Sequence, residues 1–206
     1  MKLAFIIPYR DRAAHLGEFM PHYRRRFKAA SFYVIEQENG KPFNRAMLLN
    51  IGFLEFYDKF DYFAAHDVDM LCDRGDYSYC PNPTQLATKV QQFKYRMPFP
   101  EYFGGVTLFN NHDFIECNGY SNNFWGYGGE DNEMYFNVLS KGLKITYRDG
   151  WYHSLYHPPS FPGGVDWEKM KLAKEPRSKN DGLGKCKYAI LKTEDVNGYT
   201  KLTVRL

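Results

Sequence analysis

Between residues 3 and 69, short apolar runs alternate with stretches of helical spacing, and few folds accept that order. Leu3-Ala4-Phe5-Ile6-Ile7 carries no polar residue at either phase of its alternation, so it predicts a strand covered on both faces. Pro8-Tyr9-Arg10-Asp11-Arg12 interrupts the run, and a helix is expected from about Ala13 to Phe27. Ser31 to Gln37 reads as a second strand. Phe43 to Asp58 has helical spacing, with Ala46, Leu49, Ile51, Phe53 and Leu54 as apolar contacts. Tyr62 to Ala65 predicts a third strand that ends at His66-Asp67-Val68-Asp69. Strand, helix, strand, helix, strand is the order of an α/β protein with a parallel sheet. Ligands of such sheets bind beyond the carboxyl ends of the strands, where Arg10-Asp11-Arg12 and Asp67-Val68-Asp69 both fall.

The later chain is less regular. Residues 72–100 are polar and Pro-rich and are expected to be loop with short elements. Tyr102 to Phe109 reads as a strand, and its Gly104-Gly105 allows close backbone approach. A helix is expected from Asp131 to Lys141, stopped by Gly142, then a strand from Leu143 to Tyr147 and an irregular loop from Pro158 to Gly164. Lys187–Glu194 and Tyr199–Arg205 predict a closing hairpin around Asn197-Gly198. A chain of 206 residues suits one domain with a sizeable core. A formal charge of +3 does not imply a nucleic-acid partner. No apolar run approaches the roughly 20 residues of a membrane span, and no signal peptide is read at the start. The cysteines at 72, 80, 117 and 186 include no Cys-x-x-Cys pair, so a zinc cage is not expected. Cys72 and Cys80 would bridge if their loop folds back, or all four thiols would stay free.

Four groups of residues can carry chemistry. Asp67 and Asp69 place two carboxylates at a strand end, where alternation would send one to a divalent cation and the other to a sugar or nucleoside. His153 and His157 offer imidazoles for a mixed oxygen and nitrogen shell suited to Mn²⁺, Fe²⁺ or Zn²⁺; the plain alternative is two loop histidines. Arg10, Arg12 and Arg45 cluster at one end of the expected sheet, where guanidinium forks match phosphate oxygens. The segment Asn118 to Asp131 combines glycines for mobility, aromatic faces for a ring-shaped partner, and the acids Glu130 and Asp131. It reads as a lid over a polyhydroxylated substrate. Acids at a helix start also suit the dipole, which favours their ionised, basic form.

The blocks Phe5 to Arg12, Phe43 to Asn50, His66 to Asp69, Tyr102 to Val106 and Phe124 to Asp131 together resemble the β-1,4-galactosyltransferases, in order and at about the family's spacing. The match runs from residue 3 to about 145 and continues more faintly through Asp181-Gly182-Leu183. Phe19-Met20-Pro21-His22, His66 and Cys117-Asn118-Gly119 look like the xylosylprotein galactosyltransferase branch. The resemblance implies a GT-A fold: a Rossmann-like mixed central sheet flanked by helices in a single domain, with residues 1–70 as the nucleotide-binding half and 71–206 as the acceptor-binding and lid half.

It also implies UDP-galactose as donor, Mn²⁺, and inverting transfer to the 4-hydroxyl of an acceptor sugar. Asp69 would ligate Mn²⁺, with His157 and secondarily His153. Pro8, Tyr9, Arg10, Arg12, Phe43, Asn44, Arg45, Asp67, Val68 and Tyr127 would hold the nucleotide sugar. Tyr102, Gly105, Trp125, Gly128, Gly129 and Asn132 would line the donor-sugar and acceptor pocket, with Glu130 gripping substrate and Asp131 as base. Tyr102 stands where galactose users of the family carry Tyr.

The chain departs from the family at Tyr127, in place of a Trp, and at Asn132, in place of an acid. The segment Pro158 to Lys179 does not look like the family's acceptor-binding part. GalNAc or glucose transfer on the same scaffold, or carbohydrate binding without catalysis, are the rival functions. The partners that the resemblance implies are a nucleotide sugar and an acceptor glycan. The resemblance leaves the acceptor, the oligomeric state and the compartment open. The compartment would be cytoplasmic for a complete chain and the Golgi lumen for one trimmed from an anchor.

Overall fold

The computed structural model, which describes residues 1–38, 40–158 and 165–206, opens on β1 (Leu3–Tyr9), α1 (Ala13–Arg26), β2 (Ser31–Gln37), α2 (Arg45–Phe56) and β3 (Tyr62–His66). Then come β4 (Met70–Arg74), β5 (Thr84–Gln85), β6 (Lys89–Val90), β7 (Val106–Asn110) and α3 (Asn111–Glu116). The chain continues through α4 (Glu130–Ser140), β8 (Thr146–Tyr147), β9 (Trp151–Ser154) and α5 (Trp167–Leu172) to the hairpin of β10 (Ala189–Val196) and β11 (Tyr199–Arg205).

All of β1 is buried, as its unbroken apolar run requires. It pairs in parallel with β2 on one side and β3 on the other. The chain therefore leaves β1 in one direction and returns to its far side, which makes the carboxyl end of β1 a switch point and a natural crevice. The full sheet runs β10-β11-β2-β1-β3-β7-β5-β8, with β7 antiparallel to β3, so it is mixed. A smaller sheet, β4-β9-β6, returns the later chain beside the end of β3. The closing hairpin turns at Asn197 and Gly198, both left-handed (φ 40° and 90°), as a two-residue hairpin loop prefers.

The core divides by the alternation of β1. Phe5 and Ile7 face Phe19 and Tyr23 of α1, while Ala4 and Ile6 face Leu48, Leu49 and Ile51 of α2. α2 starts at a side-chain cap, Asn44 Oδ1 accepting from the Met47 amide at 2.9 Å, and every residue from Ala46 to Phe53 is buried. Gly52 lets it lie close on the sheet, because a Cβ there would stand 2.4 Å from Ile6 Cγ2.

The structure shortens three expected elements. The strand expected from Tyr102 begins at Val106, because Gly105 takes φ +70° and turns its carbonyl to accept from the Asp67 amide. The strand expected from Leu143 survives only as β8, and the helix expected from Phe43 to Asp58 spans Arg45–Phe56 and ends in a 3-10 turn at Tyr57–Lys59. Two helices were not expected: α3, capped by Asn110, and α5, capped by Asp166. Of the loop expected at 158–164, residues 159–164 lie outside the described residues. All four cysteines are free, so Cys72 and Cys80 form no bridge. Among the described residues no helix is long and apolar enough to cross a membrane.

Candidate active site

The carboxyl ends of β1 and β3 meet the start of α2 and the start of α4, and charged residues gather there. Arg45, the first residue of α2, puts Nε 2.5 Å from Asp67 Oδ1 and Nη1 2.8 Å from Asp131 Oδ1, with Glu130 Oε1 3.9 Å away. Asp67, Glu130 and Asp131 thus share one buried guanidinium, so carboxyl groups outnumber the cation beside them. Gly104 admits the Asp131 carboxylate against the backbone, because a Cβ there would lie 1.9 Å from Asp131 Oδ2. Of five buried side-chain atoms without a hydrogen-bond partner among the described residues, two lie here: Arg45 Nη2 and Glu130 Oε2. Buried polar atoms are nearly always paired, so this pair marks a place built for an additional polar group.

Burial pushes the Asp67 carboxyl up to about 6, with Arg45 opposing and Asp69 adding. Burial likewise raises Asp131 well above the ordinary carboxylate range; Arg45 opposes, and Glu130 and Asp67 add to the rise. The ionised state expected from the helix dipole is therefore opposed here, since desolvation among other acids outweighs the helix start. The Tyr102 hydroxyl is raised by burial and then by the charges of Asp131 and Asp67, which places it toward the same acids.

Asp69 follows on a tight turn whose middle residue, Val68, is buried in the core; Val68 can offer only its backbone to a ligand. Asp69 Oδ2 lies 2.9 Å from His157 Nε2. The His157 ring donates through Nδ1 to the Pro158 carbonyl at 2.8 Å, which leaves Nε2 as the nitrogen facing Asp69. The bond to Asp69 raises the His157 pKa. His153 is exposed on β9, across from Leu71, and makes no ion pair with Asp69. Only one of the two candidate histidines reaches the carboxylate. One carboxylate and one imidazole fit a borderline divalent cation such as Mn²⁺. Among the described residues no group of three His, Cys, Asp or Glu is placed to enclose an ion.

The basic and aromatic candidates lie alongside. Pro8 and Tyr9 end β1 and are buried. Arg10 donates to the Lys41 carbonyl, and its guanidinium lies 5.2 Å from the centre of the Phe43 ring. Arg12 precedes α1, and its charge opposes protonation of His157. The buried Asn44 side chain accepts from the Met47 amide at the α2 cap and donates to the Asn122 carbonyl. Asn132 is buried on α4.

The glycine-rich segment is fastened rather than loose. The Gly126 amide donates to the Phe43 carbonyl, and Lys169 of α5 donates to the carbonyls of Trp125 and Tyr127 at 2.7 and 2.8 Å. Gly126, Gly128 and Gly129 all hold positive φ, at 78°, 85° and 94°. The sequence marks Gly104 for close backbone approach but not for making room for Asp131, and it assigns no part to Lys169 or to His15, which lies beside His157. Gly104 sat inside a recognised block; nothing in the spacing marked the other two.

Comparison with known proteins identifies the family of the chain. Residues 1–81 match the profile described as the N-terminal region of glycosyl transferase group 7, and residues 84–159 match one described as the N-terminal domain of galactosyltransferase. β-1,4-Galactosyltransferase 4 of Cricetulus griseus is 35% identical over 98% of this chain, which spans 63% of that protein's length. The catalytic domain of Drosophila β-1,4-galactosyltransferase 7, solved in complex with xylobiose, covers the whole of this chain and 94% of its own, with 29% identity and a TM-score of 0.87. A mutant of the same Drosophila protein, solved with manganese, UDP-Gal and xylobiose, matches with a TM-score of 0.85 and 28% identity, covering 100% of this chain and 94% of its own. The fold is GT-A. With adjoining profiles across most of its length and relatives of one kind over nearly all of it, the chain belongs to the β-1,4-galactosyltransferase family.

Proposed function

We propose that this chain transfers galactose from UDP-galactose to the 4-hydroxyl of an acceptor sugar, inverting the anomeric carbon. The observation that carries this reading is the orphaned pair at the base of the site. Arg45 Nη2 can only donate, and an ionised Glu130 Oε2 can only accept. A sugar hydroxyl does both at once. The Drosophila relative solved with manganese, UDP-Gal and xylobiose supports the same substrate class.

Asp69 and His157 would hold Mn²⁺, which when bound neutralises charge on a departing diphosphate. The other roles belong to this chain's own residues. Residues 1–70 would bind the nucleotide: the Phe43 face and Arg10 lie together as a stacking and phosphate surface. Residues 71–206 would supply the acceptor side and the lid. Arg45 orients Asp67 and Asp131, and its remaining N–H would serve the bound nucleotide sugar. Asp131, buried and held by Arg45 on one oxygen, would take the acceptor's proton as its oxygen attacks from the face opposite the leaving diphosphate. Tyr102 would close the donor pocket beside Gly105. Trp125, Tyr127, Gly128 and Gly129 would cover the substrates and keep out water.

UDP release from UDP-galactose with Mn²⁺, measured with and without xylosides, N-acetylglucosamine and glucose, tests the proposal. Release should depend on one of these acceptors, and release that ignores them all would make the protein a donor hydrolase. Asp131→Asn should lower transfer about 10²-fold or more while UDP-galactose affinity holds, the scale of a lost general base.

A further inference from the structure

The metal pair depends on a short irregular stretch of chain, and the structure shows what holds it. His157 follows β9 outside any helix or strand, and the Tyr156 side chain is 85% exposed, so it packs nothing into place. Among the described residues, two hydrogen bonds hold the backbone instead. The Leu155 amide donates to the Asp69 carbonyl at 2.8 Å. On the other side, His15 Nε2 of α1 donates to the Tyr156 carbonyl at 3.1 Å, and its ring stands edge-on to that of His157, 6.2 Å between centres.

The donor role of His15 follows from its partner. A carbonyl can only accept, so Nε2 carries a proton and is the donor. Its Nδ1 is buried with no partner. The imidazole meets the carbonyl just before His157, where a small backbone shift would move Nε2 of His157 away from Asp69.

We propose that His15 is a positioning residue for the divalent-cation pair: it ties the chain at Tyr156 to α1 and so fixes the His157 imidazole against the Asp69 carboxylate. The inference rests on the reading that Asp69 and His157 bind the cation. His15 is not itself placed as a ligand, since among the described residues no three such groups stand close enough to enclose an ion.

The test is Mn²⁺ binding in the presence of UDP, followed by calorimetry and by the spin-resonance signal of free Mn²⁺, on the unaltered protein and on His15→Ala, His15→Leu, His15→Gln and Asp69→Ala. Outer partners of metal ligands typically carry about 10–100-fold in affinity. His15→Ala and His15→Leu should therefore weaken Mn²⁺ about tenfold or more. They should raise the Mn²⁺ concentration for half-maximal transfer, with kcat at saturating metal within about twofold. His15→Gln keeps an N–H at the right reach and should restore most of the affinity. If Asp69→Ala abolishes binding while the alanine and leucine variants bind as the parent does, the positioning role is wrong and the cation site stands. If the parent binds no Mn²⁺, or Asp69→Ala binds it unchanged, the cation site itself is wrong. Equal loss in the glutamine variant, or failure of the alanine and leucine variants to fold, would make His15 a folding residue only and overturn the proposal.

Discussion

Arg45 shows how much one residue organises. Three carboxylates, Asp67, Glu130 and Asp131, arrive from two elements, and without the guanidinium they would repel one another in a buried space. Gly104 completes the arrangement by giving Asp131 room. Gly104→Ala tests that directly. Its backbone is not in the left-handed region, so the substitution meets no backbone strain, only the Asp131 carboxylate 1.9 Å from the new methyl. Either Asp131 or the loop must shift. Transfer should fall about 10²-fold, as expected for about 1 Å of misplacement, while affinity for UDP is retained. Equal loss of UDP binding would mean that the damage spreads beyond the carboxylate. The sequence marked Asp67, Asp69, Glu130 and Asp131 as acids at element ends. It gave no sign that Arg45 would face these acids, because that depends on how α2 and α4 pack, not on the spacing within either.

At the scale of elements, α5 acts on the lid. Its Lys169 amino group spans the carbonyls of Trp125 and Tyr127, on either side of Gly126. Those two bonds, with Gly126 to Phe43, hold the glycine-rich segment in one arrangement. Bonds to a charged donor are the stronger kind, each worth about 1.5–3 kcal/mol. Lys169→Met should loosen the segment. Proteolysis between residues 124 and 129 should then quicken several-fold, and the KM for the donor should rise more than kcat falls. An unchanged cleavage rate would show that the Phe43 and Asn122 contacts suffice. The regular elements of the first 70 residues were legible in the sequence because each buried strand carries an unbroken apolar run. α5 was not, because it is six residues long with no buried residue of its own, so no periodic pattern records it. β5 and β6 were expected only as unplaced short elements of the 72–100 loop, and β4 was not read, because these strands are short and bordered by polar loop. The reach of His157 over His153 was equally invisible, since it is set by the path of the chain after β9.

For the whole molecule, the residue that links the site to stability is His66. It ends β3, is fully buried, and is ringed by Phe5, Phe19, Tyr23, Tyr77 and Tyr152. Its Nδ1 donates to the Asp67 carbonyl and its Nε2 accepts from the Tyr77 hydroxyl, both at 2.9 Å, so both nitrogens are satisfied in the neutral ring. Burial lowers its pKa from 6.5 to about 3. The unfolded chain therefore takes up a proton below about pH 6.5 that the native protein refuses. Stability contributed by the neutral ring is complete above that pH and is lost as pH falls toward 3, at about 1.4 kcal/mol per unit. By pH 4 the loss is about 3 kcal/mol, a large part of the margin of an ordinary domain. Asp67 works in the opposite sense. Its pKa is raised to about 6, so falling pH favours the native state between about 6 and the ordinary carboxylate value. The total profile of the parent protein mixes the two. A difference between variants separates them, since the carboxylates contribute to both proteins alike. His66→Gln should be less stable than the parent at pH 7, having lost ring packing, and the gap should narrow by about 3 kcal/mol at pH 4. Urea unfolding at the two pH values reads this directly. A gap that stays constant would show that His66 takes its proton in the folded state as readily as in the unfolded chain, and the acid sensitivity of the fold would then lie elsewhere.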